Sequence, residues 1–94
     1  MPDKTTPFDA ANYLDSPETQ IAYIEEAFDD GDPALIALAI GNVARKRGVT
    51  AIAQAVGLTS PGIYKAFGAS GNPRLTTLSA VLKQLGLRLK VEAA

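Results

Sequence analysis

The stretch formed by residues 50–68 constrains the fold of this chain more than any other part of the sequence. Residues 51–56 are small and apolar and predict a short helix, with Thr50 placed to cap it. Gly57 follows where that helix must stop and the chain must reverse. This position usually requires a positive φ angle, which glycine adopts without steric cost. The stretch therefore predicts a helix that ends in a tight turn.

A second short helix is predicted directly after the turn. The apolar side chain of Leu58 is predicted to pack between the two helices, and Thr59 or Ser60 can cap the second helix. Pro61 suits the first turn of a helix, because the N–H that proline lacks would be unpaired there. Ile63 begins an apolar face that recurs three to four residues later. Two short helices of this kind pack closely across their turn.

This spacing is typical of the helix-turn-helix of DNA-binding proteins, although a plain helical hairpin would have the same pattern. Ala53 stands four residues before Gly57, where the helices cross and only a small side chain fits. The shared core is predicted to contain Ile52, Val56, Leu58 and Ile63. The remaining positions of the second helix would face the major groove, and they are Ser60, Pro61, Gly62, Tyr64 and Lys65. DNA contacts are also predicted from Thr50 and from Thr59, which would touch a phosphate while it caps the helix.

Charge is divided unevenly along the chain, although the formal net charge is only −1. Residues 1–40 contain nine acids and one base, whereas residues 41–94 contain eight bases and one acid. A basic half can meet the phosphates of DNA, and an acidic half can meet a basic protein. The alternative is that the two halves neutralise each other within the fold. The division therefore suggests two different partners.

Two longer helices are predicted before the central stretch. Ser16 and Pro17 mark the start of the first, Thr19 leaves its capping box incomplete, and Gly31 ends it. The second begins at Asp32-Pro33, opens with an apolar run and stops at Gly48. Its last turn contains three cations, Arg45, Lys46 and Arg47, which interact favourably with the negative end of the helix dipole. At least one of the three is also predicted to contact a DNA phosphate.

A last helix and a strand are predicted at the C-terminal end. Leucines spaced as on one helix face follow a loop at residues 69–73, and Gly86 ends that helix. Residues 87–91 then alternate between apolar and basic, which predicts a strand. A lone strand needs a partner, so we predict a homodimer, with a folded-back or disordered tail as the alternative. Its predicted interface comprises Leu75, Leu78, Leu82, Leu87, Leu89 and Val91.

Several classes of function are disfavoured. The chain has no cysteine and no histidine, which excludes disulfides, thiolate catalysis and zinc-finger chemistry. The acidic residues of the first helix could bind a metal or act as acid and base, but they lie on a face predicted to be exposed. We therefore expect neither an enzyme nor a metal or other cofactor. The apolar runs are too short for a membrane span and no secretory signal is present, so a soluble cytoplasmic protein is expected.

Four stretches of the sequence stand out together with the order of these elements: FDAANYLDSPE (8–18), GDP (31–33), ARKRGVTAIAQAVGLTSPGIYKAF (44–67) and GNPRLTTLSAVLKQLGLRL (71–89). In these stretches and in their order, the chain resembles the HigA-like addiction-module antidote proteins, which are antitoxins with a DNA-binding domain similar to lambda Cro and repressor. Members of that family often carry a charged residue near the start of the recognition helix, where this chain has Ser60, Pro61 and Gly62.

The resemblance implies an all-α fold of five or six helices with a short C-terminal strand. Residues 1–32 would form a tail and an acidic helical extension, and residues 33–94 the helix-turn-helix domain with its dimerisation segment, in one compact unit. It also implies an antitoxin that neutralises a RelE-like or HigB-like mRNA-cleaving toxin and represses its own operon by binding operator DNA. A stand-alone regulator without a toxin is the alternative. The residues expected to meet such a toxin are Glu18, Glu25, Glu26, Asp29 and Asp30.

Overall fold

The computed structural model describes residues 14–94, which form five α-helices. The all-α class is confirmed for this part of the chain. Residues 1–13 lie outside it, and with them the predicted N-terminal tail and most of residues 8–14, which the sequence allows as a short helix. The helices are α1 (Pro17–Asp30), α2 (Pro33–Arg47), α3 (Val49–Val56), α4 (Ser60–Ala66) and α5 (Leu75–Gln84).

Helices α1 and α2 begin where the sequence predicted. The Ser16 hydroxyl accepts a hydrogen bond from the Thr19 backbone N–H at 3.2 Å, and the Thr19 hydroxyl accepts one from the Ser16 N–H at 3.3 Å. The capping box is therefore complete, contrary to the prediction, because a threonine hydroxyl can accept the bond usually made by Glu or Gln. Asp32 caps α2 by accepting from the Ala34 N–H at 3.0 Å.

Helix α3 follows α2 after a single residue, Gly48, whose φ is 114°. The predicted cap at Thr50 is wrong, because α3 already begins at Val49 and Thr50 lies inside it. The predicted turn is confirmed: Gly57 has φ 77°, and the Leu58 N–H donates to the Ala53 carbonyl at 2.8 Å. Together with the bond from the Gly57 N–H to the Gln54 carbonyl at 3.3 Å, this forms a Schellman motif, which fixes the direction in which the chain leaves α3.

The predicted C-terminal strand is wrong as a feature of this chain. Residues 87–94 have no regular secondary structure, and within residues 14–94 no backbone hydrogen bond between main-chain groups reaches residues 88–94. A strand needs a neighbouring strand to pair with, and the described part of the chain offers none. The alternation of apolar and basic residues is therefore left without a partner.

The core is centred on α2, whose Ile40 and Val43 are fully buried. The apolar run that opens α2 suggests a helix start covered on all sides, but Leu35 within it is 40% exposed. Two other leucines are also exposed: Leu58, which was predicted for the shared core, at 38%, and Leu75, which belongs to the predicted leucine face of the last helix, at 68%. Leu75 stands in the first turn of α5, ahead of the turns that pack on the core, whose buried residues include Val81, Leu82 and Leu85.

Helix α4 is held against α2 at backbone distance. Gly41 lies in the middle of α2, and a Cβ atom placed on it would collide with the carbonyl oxygen of Phe67, the residue that ends α4. Phe67 is itself only 1% exposed. The absence of a side chain at Gly41 is therefore what lets α4 pack this closely, and it determines where the outer face of α4 lies.

Candidate nucleic-acid interface

The outer face of α4 is the part of the candidate site that the structure defines most clearly. Ile63 points into the core and is 1% exposed, whereas Tyr64 is 50% exposed. Pro61 and Lys65 are exposed as well, and Ser60 and Gly62 are half-buried. The orientation predicted for these residues agrees with the structure, while their contact with DNA remains a prediction.

Hydroxyl groups gather where α3 meets the start of α4. The Thr59 hydroxyl caps α4 by accepting from the Gly62 N–H at 3.0 Å. The Thr50 and Ser60 hydroxyl oxygens lie 3.5 Å apart across the two helices. The sequence placed all three residues in the DNA-contact group, and the fold brings them to one end of α4. Hydroxyl groups at such a position can bond phosphate oxygens.

Arg45 joins this surface from α2. Its guanidinium carbon lies 5.8 Å from the centre of the Tyr64 ring, and its Nη2 donates to the Asn42 side-chain oxygen at 2.6 Å. Asn42 in turn donates to the Tyr23 hydroxyl at 2.9 Å. A cation over an exposed ring contributes about 0.5–1 kcal/mol. The contact therefore positions Arg45 beside the exposed face of α4.

Lys46 and Arg47 point elsewhere, because successive residues on a helix point in directions about 100° apart. Lys46 Nζ lies 3.5 Å from an Asp15 carboxylate oxygen. Arg47 donates to the buried Gln20 side chain at 2.7 Å and to the Leu85 carbonyl at 3.0 Å. Arg47 thereby links α1, α2 and the end of α5. The three consecutive bases therefore do not form one patch.

A cleft beside α4 contains residues that were not predicted as contacts. It has a volume of about 460 Å³ and lies between α4 and the start of α5. Lys65 lines it together with Arg74, which the sequence analysis did not single out. The signal that could have indicated Arg74 is its position directly after the Gly-Asn-Pro loop. The other polar residues of this cleft are Ser70, Asn72 and Thr77.

The acidic residues of α1 occupy a separate surface. All five predicted toxin contacts are exposed, and two of them, Glu25 and Asp29, line a groove of about 500 Å³ between α1 and the C-terminal segment. Arg88 and Lys90 also line this groove. Among residues 14–94, no group of three acidic side chains is placed to hold a metal ion.

The residues predicted for a dimer interface differ in their accessibility. Leu82 lies in the core at 2% exposure, and Leu78 and Leu87 pack against it. Leu75 is 68% exposed, and the two C-terminal residues in the group are also accessible: Leu89 at 39% and Val91 at 95%. Only these accessible residues could meet a second copy without a change in the core.

The exposed outer face of α4 and the acidic face of α1 belong to a fold that is all-helical over residues 14–94. None of the helices in this part of the chain has the length and apolar character of a membrane span. The chain belongs to the family of probable addiction module antidote proteins, whose family model matches residues 4–93. This confirms the predicted resemblance. A Haemophilus influenzae protein named only as uncharacterized is 35% identical over 92 residues, which cover 98% of this chain and 95% of that protein. No solved structure matches the chain.

Proposed function

We propose that this antidote-family protein binds double-stranded operator DNA through α4 and neutralises a RelE-like or HigB-like mRNA-cleaving toxin. It would thus act as an antitoxin and as the repressor of its own operon. The single observation that carries the DNA-binding part is the packing of α4 on α2, which leaves Tyr64 and Lys65 exposed on a rigid helix that follows a tight turn. Family membership carries the antidote part.

The proposed DNA surface extends beyond α4. Arg45 stands over Tyr64 at one side, and Arg74 shares a cleft with Lys65 at the other. In this arrangement Tyr64 and Lys65 face the major groove, while the two arginines at the sides and the hydroxyl groups of Thr50 and Thr59 meet phosphates. Lys46 and Arg47 have partners on the α1 side and are left out of the proposed DNA surface.

Replacing Lys65 with alanine is expected to weaken operator binding, which a mobility-shift titration would measure. If Lys65 contacts a base edge, the loss should be about 1–3 kcal/mol for the operator and smaller for random DNA. If it contacts a phosphate, binding to the operator and binding to random DNA should weaken alike, and the affinity should depend less steeply on salt concentration. Lys83→Ala is the matched control, because Lys83 is also an exposed lysine but lies in the last turn of α5, at the end away from Arg74. Binding equal to that of this control would contradict the assignment.

The acidic face of α1 is proposed as the surface that meets a basic toxin. Negative charge lies along the exposed face of this helix, at Glu18, Glu25, Glu26, Asp29 and Asp30. The ion pair found within residues 14–94 is made by Lys46 with Asp15, which precedes the helix, and not with one of these five acids. Opposite charges steer association and set specificity. Antidotes act by binding, so no catalytic group is required on this surface.

Co-expression with the product of the adjacent gene tests this surface. The double variant Glu26→Gln, Asp30→Asn is expected to retain clearly less toxin than the wild type after washing at moderate salt, because two exposed charges are lost. Asp15→Asn, which removes an exposed acid outside α1, is the control and should behave as the wild type. A protein that represses its operator but captures no small basic protein would instead be a stand-alone regulator.

A homodimer completes the proposal, because one recognition helix reads only a half-site and two-fold operators are matched by two-fold proteins. The proposed contact is the C-terminal segment, residues 87–92, which we call the tail. Leu89 and Val91 are accessible there, and the tail's alternation suits pairing with a second strand.

A further inference from the structure

The direction of the tail is fixed where it leaves α5. Gly86 has φ 80°, its N–H donates to the Lys83 carbonyl at 3.0 Å, and the Leu87 N–H donates to the Leu82 carbonyl at 2.9 Å. These two bonds form a Schellman motif, and Leu87 makes the apolar contact that accompanies it by packing on the core. The tail thus starts from a defined point, and its later residues are exposed.

We propose that the tail pairs antiparallel with the tail of a second copy in a register that places Lys90 opposite Lys90 of the second copy. This inference rests on the homodimer proposed above and specifies its contact. A two-fold axis perpendicular to the paired strands keeps each residue on the same face as its symmetry mate. The axis must therefore pass through a residue facing its own mate, so only a few registers are possible.

Charge and apolar contact together select among these registers. With the axis at Lys90, Arg88 faces Glu92 twice on one side of the ribbon, and Leu89 faces Val91 twice on the other. With the axis at Leu89, Arg88 would face Lys90 twice, and like charges directly opposite each other destabilise a strand pair. With the axis at Val91, Lys90 would face Glu92, but Leu89 would face only the small Ala93.

The register with its axis at Lys90 thus combines two ion pairs with two Leu89–Val91 contacts. The axis at Leu89 would give more apolar contact, from Leu89 with its own mate and Leu87 with Val91 twice, but only together with the two like-charge pairs. Its one unfavourable pair in the register at Lys90 is Lys90 with its own mate, and two long exposed side chains can bend apart in water.

The groove beside the tail provides room for the second strand. Ile21 and Phe28 of α1 line it, so apolar side chains of the second tail would meet apolar side chains there. Glu25 and Asp29 also line it, so the second tail would cover these two acids and leave the other acids of α1 for a toxin.

Charge reversal on the full-length chain tests the register, with the dimer dissociation constant measured by sedimentation. Arg88→Glu and Glu92→Arg should each weaken the dimer by about tenfold or more, since each creates two like-charge pairs. The double variant Arg88→Glu, Glu92→Arg should return to within about threefold of the wild type, because the ion pairs are restored with their signs exchanged. Lys83→Glu makes the same change of charge outside the tail and should leave the dimer unaltered.

Each competing arrangement has its own signature. A tighter dimer from Arg88→Glu would place the axis at Leu89, and rescue by Lys90→Glu with Glu92→Lys instead would place it at Val91; either result overturns the proposed register. A dimer indifferent to all tail variants would overturn the inference and the tail contact proposed for the homodimer, but it would leave the proposed antitoxin and repressor functions intact. A wild-type chain that is monomeric at micromolar concentration would instead overturn the homodimer of the proposed function.

Discussion

Replacing Gly41 with valine is expected to destabilise the fold by about 3 kcal/mol or more, which is a large part of the stability of a small domain. The Cβ of the new side chain would occupy the position of the Phe67 carbonyl oxygen, and its methyl groups would add to that overlap. Because Phe67 is buried, α4 could relieve the overlap only by moving away from α2. Urea or thermal unfolding followed by circular dichroism would measure the loss.

The control separates this collision from the intrinsic cost of valine in a helix. Ala22 is exposed on α1, and Ala22→Val should cost less than about 1 kcal/mol. Gly41→Ala should fall between the two valine variants, because it adds Cβ without the further methyl groups. If Gly41→Val unfolds at the same temperature as Ala22→Val, α2 and α4 are not in the contact described here.

The role of Gly41 could not be predicted from the sequence, although the helix that contains it could. The sequence predicted α2 with correct ends, because Asp32, Pro33 and Gly48 act on residues only a few positions away. Within that helix Gly41 read as one member of an apolar run. Its importance depends on Phe67, which is distant in the chain, and a single sequence contains no local signal of such a contact. The turn at Gly57 was predictable because its hydrogen bonds connect residues within five positions.

In the candidate site, too, the features that depend on local sequence could be predicted and those that depend on long-range contacts could not. The outward orientation of Tyr64 and Lys65 follows from helical periodicity and could be predicted. The separation of Arg47 from Arg45 could not, because the partners of Arg47 lie 27 and 38 residues away. Arg74 was missed for a related reason, since only the fold shows that the end of its loop lies beside Lys65. Local patterns thus identified the surface, and long-range contacts determined its extent.

The tail differs from these examples, because its local pattern clearly predicts a strand but the single chain does not form one. Alternation at residues 87–91 describes which side chains would share a face of a strand, but backbone pairing requires a second strand. The described part of this chain provides none. The proposed second copy would provide it, which connects the oligomeric state to DNA binding.

Ending the chain after Arg88 is therefore expected to convert a dimer into a monomer and to weaken operator binding by about 100-fold or more, because two linked half-site contacts become independent. This cut keeps Leu87, which packs on the core, so the domain should remain folded and its thermal unfolding should change little. Sedimentation would measure the oligomeric state, and a mobility-shift titration would measure operator binding.

Two further variants make this result decisive. Leu89→Lys keeps the chain length and should also produce a monomer, since it places a charge on the apolar face of the proposed strand pair. Ending the chain after Glu92 removes only Ala93 and Ala94 and should preserve both the dimer and operator binding. If the chain that ends after Arg88 still sediments as a dimer at micromolar concentration, the interface must lie elsewhere. The exposed Leu75, at the start of α5, and the loop before it would then be the next surface to test.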